Sequence, residues 1–223
     1  MSALENILAA LDQRHHTPSQ PYYVPGLWID AASTPAQQVD PFAFYADRLR
    51  EILHAEPVPL VQGAGGEWSR HARVYNLFPR VTTAFDHAQD GHLAIEPSAD
   101  GWRETGTLLK CIALLPYLQS MEINTVHLLP ITAVGRDGRK GTLGSPYAIR
   151  DPYRLDDTLD EPALGLDAEV LFAGFVEAAH RLGIRVVMEF VLRTAAKDSD
   201  WIGEHPDWFY WIREDIPDRP AGS

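Results

Sequence analysis

The run Gly135-Arg136-Asp137-Gly138-Arg139-Lys140-Gly141-Thr142 sets a lysine among glycines, where backbone N–H groups and an ammonium could meet a phosphate. A nucleotide-type phosphate loop is excluded. The run lacks the Gly-Lys-Ser/Thr register, and the sequence predicts no helix directly after it. Lys140 remains a loop cation. A second cluster, Trp201 to Trp211, holds Trp208, Phe209 and Trp211 next to a turn fixed by His205-Pro206. Large rings bury well against protein or against the C–H face of a sugar, and here packing beneath a loop is the expectation. The single cysteine, Cys111, sits in an apolar run. It has no disulfide partner, and no Cys/His cluster has zinc spacing. Its surroundings predict a small buried hydrophobe rather than a nucleophile.

Charge narrows the partners. A formal net charge of -12 repels nucleic acid and anionic membrane at long range, so neither is expected. An acidic surface suits a neutral ligand such as a sugar. The first residues lack a basic region followed by an apolar core, and no apolar run is long enough to cross a bilayer. The cytoplasm is the expected location. No cofactor is expected.

These residues must be held by regular elements. Residues 1–70 read as a helical and extended leader, with helical spacing over Ala3–Leu11 and Phe42–His54. Between those two, Pro21 to Trp28 suits an extended segment lying across another surface. Gly63-Ala64-Gly65-Gly66 breaks the pattern and marks the boundary. Residues 71–223 then alternate. Val74–Phe78 is a strand, and Thr107–Met121 is a helix burying Leu108, Ile112, Leu115 and Leu118, with Pro116 expected to kink or interrupt it. Thr125–Pro130 is a second strand, followed by a long loop. Ala168–Leu182 is a helix capped by Asp167 and ended by Gly183, and Ile184–Leu192 is a third strand. This order predicts a parallel α/β sheet, and near-continuous apolar strands predict cover on both faces. Periodicity leaves a doubly wound sheet and a closed barrel both open.

Four segments, in order, resemble the α-amylase family, glycoside hydrolase family 13. Tyr75-Asn76-Leu77-Phe78-Pro79-Arg80 is similar to its first barrel strand. Leu114 to Leu118 running into Ile123 to Ile131 is similar to its first helix and second strand, with Pro130 ending the strand. Ser145-Pro146-Tyr147-Ala148-Ile149-Arg150-Asp151-Pro152-Tyr153 is similar to the segment carrying a substrate-stacking aromatic. Ala178 to Val191 is similar to the third strand and its lead-in. Three further segments, Gly138–Gly141, Gly144–Pro146 and Glu204–Phe209, resemble the bacterial maltosyltransferases that extend α-glucan from maltose 1-phosphate.

The resemblance implies an incomplete TIM (β/α)8 barrel, about its first three strands, behind the leader. It implies an α-glucan or malto-oligosaccharide substrate, or a sugar phosphate, for the intact enzyme. Retaining chemistry needs a nucleophile and an acid about 5–5.5 Å apart, and the family carries them on later strands. No catalytic residue is therefore expected in this chain, which alone is expected to be inactive. The polar run Asp215 to Pro220 precedes the point where those strands would follow. Tyr147 matches the aromatic that stacks on the sugar, and Glu189 matches a supporting acid at the end of the third strand, one methylene longer than the family's aspartate. Arg193 and Thr194 stand where the family has Asn and His. Arginine offers no acceptor to a cation and threonine lacks the histidine's ring donor, so no calcium site is expected there. By resemblance Lys140 and Arg193 converge on a phosphate. Asp151, beside Arg150, and Thr194 are expected to shape the loop around them. A non-catalytic remnant that binds carbohydrate or self-associates is the alternative, because three parallel strands leave two open edges. An unrelated doubly wound enzyme comes last, since Pro79-Arg80-Val81-Thr82 is nothing like a glycine-rich turn.

Overall fold

The structure, a computed structural model, describes residues 1–14, 18–29 and 35–211; the polar run 215–220 lies outside them. In chain order the helices are α1 (Ala3–Gln13), α2 (Pro41–His54), a single turn α3 (Pro79–Thr82), α4 (Leu108–Ser120), α5 (Ala168–Arg181) and α6 (Asp200–Glu204). The strands are β1 (Tyr22–Val24), β2 (Gln37–Val39), β3 (Val74–Leu77), β4 (Thr125–Leu128), β5 (Thr132–Val134), β6 (Ile149–Leu155) and β7 (Arg185–Met188). Local chemistry sets the helix starts. Ser2 and Glu5 form a reciprocal cap on α1, Asp40 accepts the Ala43 N–H ahead of Pro41, and Asp167 accepts that of Val170. Each supplies an acceptor to an amide with no partner inside its helix. Gly183 ends α5 at φ +74°, a conformation open to glycine at little cost.

β3, β4 and β7 form a parallel sheet in that order, with Asn76 beside His127 and His127 beside Val187. Side chains alternate between its faces. Leu77, Val126 and Leu128 are buried in the core, and Tyr75, Val186 and Met188 pack against it. The opposite face carries Val74, Asn76, His127 and Val187, with Val74 and Asn76 exposed. That opposite face is thus only partly covered, with Thr125 buried and His127 and Val187 half-buried, where the apolar strands had predicted full cover on both.

The leader shares the sheet's core. Leu4, Ile7 and Leu11 of α1 and Phe42, Leu49 and Ile52 of α2 join one buried cluster with α4, α5 and the sheet. A Cβ on Gly174 would lie 2.3 Å from Ile7 Cδ1, so the missing side chain is what lets α1 approach α5.

Several expectations are corrected. α4 runs unbroken through Pro116. An interior proline costs about 3 kcal/mol in an isolated helix, and the near-total burial of Leu108 to Leu115 offsets it. The third strand stops at Met188, not Leu192. Its last ladder bond is Glu189 N–H to the Leu128 carbonyl, and Pro130 on the neighbouring chain segment has no N–H to offer. The loop after β4 is not structureless, because β5 and β6 pair there as an antiparallel hairpin. The aromatic tail does not pack beneath a loop, since Trp208, Tyr210 and Trp211 are exposed.

Candidate functional site

At the carboxyl ends of the parallel strands, Tyr147 meets Glu189. The tyrosine hydroxyl donates to the Glu189 carboxylate at 3.3 Å. Glu189 follows β7 directly, and Tyr147 reaches it from the loop between β5 and β6. Partial desolvation, this hydrogen bond and the carboxylate's charge together push the Tyr147 phenol above its ordinary pKa. Beneath them His127 Nε2 stands 4.0 Å from Glu189, while its Nδ1 faces Asn76 Oδ1 at 3.1 Å.

Tyr147, Lys140 and Thr194 line one open cleft of about 280 Å³, together with Arg139, Asp137 and Lys197. Its walls are pinned. The Gly135 N–H bonds the Ala148 carbonyl at 2.9 Å, and the Ala196 N–H bonds that of Ile149 at 2.8 Å. A Cβ on Gly135 would fall 2.3 Å from Ala196 Cβ, so the loop bearing Lys140 can lie this close only with glycine there. Asp198 accepts the amides of Arg136 at 2.7 Å and Asp137 at 3.3 Å. Burial alone would raise its pKa, but those amides outweigh it and hold the carboxyl below its usual range. Thr194 Oγ1 donates to the Tyr147 carbonyl at 3.0 Å and so fixes the backbone beneath the aromatic plate.

The structure brings Tyr147, Glu189, Thr194 and Lys140 together and leaves two expected residues elsewhere. Arg193 lines a neighbouring cleft with Trp201, Trp208 and Phe209, so Lys140 and Arg193 do not share one. Lys197 and Arg139 are the cations that line the cleft with Lys140. Asp151 accepts the Tyr153 N–H at 2.8 Å, a bond within its own strand. Sequence reasoning missed His127 and Asn76. Their signal was present: each is the lone strongly polar residue in its short strand, and the parallel register sets them side by side.

Fold and rim together define an α/β protein with a cleft at the carboxyl edge of a parallel sheet, the edge at which open α/β sheets in general bind ligands. No family model matches the chain. Curated relatives do. An alpha-1,4-glucan:maltose-1-phosphate maltosyltransferase of Cereibacter sphaeroides is 38% identical over 128 residues, covering 53% of this chain and 20% of that protein. The enzyme of that name from Arcanobacterium haemolyticum is 31% identical over 178 residues, covering 75% of this chain and 21% of its own length. A solved maltogenic α-amylase of Thermotoga neapolitana is 35% identical, with a TM-score of 0.48, and the match covers 69% of this chain and 31% of that one. Over the stretches matched, the chain is similar to the alpha-1,4-glucan:maltose-1-phosphate maltosyltransferases. It spans about a fifth of the length of these two curated relatives.

Proposed function

We propose that this chain forms the sugar-binding rim of the first three β/α units of a TIM (β/α)8 barrel, part of an α-glucan-active hydrolase or transglycosylase. The observation that carries the reading is Tyr147, held by Glu189 at the carboxyl end of β7 and lining a pinned cleft. An aromatic plate buries the C–H face of a glucosyl ring while leaving its hydroxyls to polar neighbours. The open sheet face supports a wall meant to close, because inward-facing barrel positions are filled by layers of side chains from other strands. Glu189 is a supporting residue in this reading. It contacts a phenol and an imidazole, whereas retaining chemistry needs a pair of carboxyl groups about 5–5.5 Å apart. The nucleophile and the acid/base belong to later strands outside this chain. The activity for which the relatives are named makes the ligand an α-glucan or malto-oligosaccharide, with a sugar phosphate reaching Lys140.

Calorimetric titration tests this. The chain should bind maltose with a dissociation constant on the order of 1 mM, lose that binding on Tyr147→Ala, and release no reducing sugar from α-glucan. An unchanged affinity in Tyr147→Ala defeats the reading. A second reading, a self-associating remnant without chemistry, is favoured by the open sheet face that exposes Val74 and Asn76. Sedimentation as a compact monomer at all concentrations would remove it.

A further inference from the structure

The sheet face turned away from the core sets His127 between polar side chains of its two neighbouring strands. Asn76 of β3 and His127 of β4 are register partners, and Asn76 Oδ1 lies 3.1 Å from the imidazole Nδ1. On the other side Glu189, the residue just past β7, places Oε2 4.0 Å from Nε2. That same oxygen accepts the Tyr147 hydroxyl at 3.3 Å. Four side chains thus form one line, from β3 across β4 and the end of β7 to the aromatic plate.

The loosest member of that line is the Glu189 carboxylate. Its backbone is fixed, since the Glu189 N–H donates to the Leu128 carbonyl at 2.9 Å, next to His127. Its side chain is 30% exposed, and holding a long carboxylate in one rotamer costs conformational entropy. Among the described residues, its polar contacts are the Tyr147 hydroxyl and the His127 ring. A neutral imidazole has one N–H and an imidazolium two, and only the imidazolium adds charge to the contact. The anchor is therefore firmer with the ring protonated. Other charges nearby are engaged elsewhere. Arg185 shares this face of β7, but its guanidinium stacks over Trp68 at 4.4 Å and donates to the Val61 carbonyl at 2.9 Å. Arg80, after β3, is turned to the Leu143 carbonyl at 2.7 Å and to Asp156. Glu189 is the titratable group that faces the imidazole, with Tyr147 beyond it.

We propose that His127 is a positioning residue for Tyr147: backed by Asn76, it steadies the Glu189 carboxylate that holds the tyrosine hydroxyl. The inference rests on the sugar-binding reading of the Tyr147 cleft and adds a control to it. A plate already held in one orientation loses less freedom when a sugar stacks on it, so affinity follows the firmness of the anchor. Maltose therefore binds more tightly where the imidazole is protonated. Both partners of the pair are partly exposed, so the effect is that of a solvent-screened contact, about two- to fivefold. A histidine that merely fills space beneath the rim would give no such dependence on pH.

The test titrates maltose by calorimetry between about pH 5.5 and 8, where imidazoles change charge. It compares the unaltered chain with His127→Gln, Glu189→Gln and the double variant. The unaltered chain should bind about two- to fivefold more tightly at the acid end, and both single variants should lose that step. Every other histidine remains in His127→Gln, so a step that vanishes there belongs to this ring. The double variant should bind no more weakly than Glu189→Gln alone, as expected of residues that act through one another. A second readout needs no sugar. The ring resonance of labelled Tyr147, assigned with Tyr147→Phe, should shift across the same pH range and stop shifting in His127→Gln. Circular dichroism and the unfolding midpoint show whether each variant folds. A step that survives in folded His127→Gln, or that is missing from the unaltered chain, overturns the positioning role and leaves the Tyr147 cleft standing. A Tyr147 resonance that follows His127 in a chain that binds no maltose overturns the sugar-binding reading alone.

Discussion

Tyr147 and Glu189 are joined by a hydrogen bond of 3.3 Å across a sequence separation of 42 residues, and that bond ties the loop between β5 and β6 to the end of β7. The relation makes the aromatic plate's orientation depend on a carboxylate. Glu189→Ala should therefore weaken maltose about three- to tenfold by loosening the plate, whereas Glu189→Gln keeps an acceptor and should lose less. Titration gives a second readout. Glu189 helps hold the phenol above its ordinary pKa, so its removal should lower the pH at which Tyr147 ionises. NMR of ring-labelled tyrosine, assigned with Tyr147→Phe, checks this. A resonance that titrates identically with and without Glu189 removes the coupling.

The leader is expected to unfold together with the sheet. Ile7 is fully buried against α5, and truncating such a side chain costs about 2–5 kcal/mol. Ile7→Ala should lower stability by that amount in one cooperative transition, seen both by far-ultraviolet dichroism and by tryptophan fluorescence. Two separated transitions would show that residues 1–70 fold as a unit of their own.

A buried ion pair gives stability a pH dependence. Lys110 Nζ lies 3.8 Å from Glu161 Oε1, both side chains fully buried, and it donates to the carbonyls of Arg103 and Thr105. Glu161 accepts from Thr107 Oγ1 at 2.8 Å and from the Arg103 amide at 2.9 Å. Burial brings the Lys110 pKa down from 10.5 to about 8, against the pull of Glu161. Between those two values the unfolded chain binds more protons than the folded one, so this group raises stability as pH climbs from about 8 to 10.5. Below about 8 its cost is fully present. Lys110→Met should remove that slope in denaturant titrations run at several pH values. It should also cost about 3–5 kcal/mol at neutral pH, because Glu161 is left buried without its partner. A slope unchanged by Lys110→Met would contradict the argument.

The difference between what was legible and what was not follows from how far each signal extends. The parallel strands showed because Val126, Leu128, Val186 and Val187 form apolar runs, and α5 showed because Asp167 and Gly183 punctuate it locally. The β5–β6 hairpin did not, since Val134 and Ile149 pair across a long stretch of glycine, proline and charge, and no local rule fixes such a register. Lys110 hid inside an apolar helix, because a single cation leaves the helical pattern intact while its partner Glu161 lies far along the chain. Which cleft each loop cation enters is likewise a matter of tertiary path. Lys140 lines one cleft and Arg193 the other, with Thr194 and Ala195 lining both, and nothing in the run of residues encodes that division. The tail misled because Trp208 and Trp211 find their partners in His205 and Pro206, not in a core.

The division of the cations between two clefts yields the last prediction. Lys140 and Lys197 line the Tyr147 cleft, and Arg193 lines the aromatic one. A phosphate group carried by a sugar seated on Tyr147 should feel Lys140, Lys197 and Arg139, which line its cleft, and not Arg193. With inorganic phosphate as probe, Lys140→Ala and Lys197→Ala should each weaken binding about three- to tenfold, the scale of one charge-assisted contact at an exposed site. Arg193→Ala should leave it unchanged within error, and raising the salt should reduce phosphate binding but not maltose binding. If Arg193→Ala weakens phosphate as much as Lys140→Ala does, the two cations meet around one anion after all.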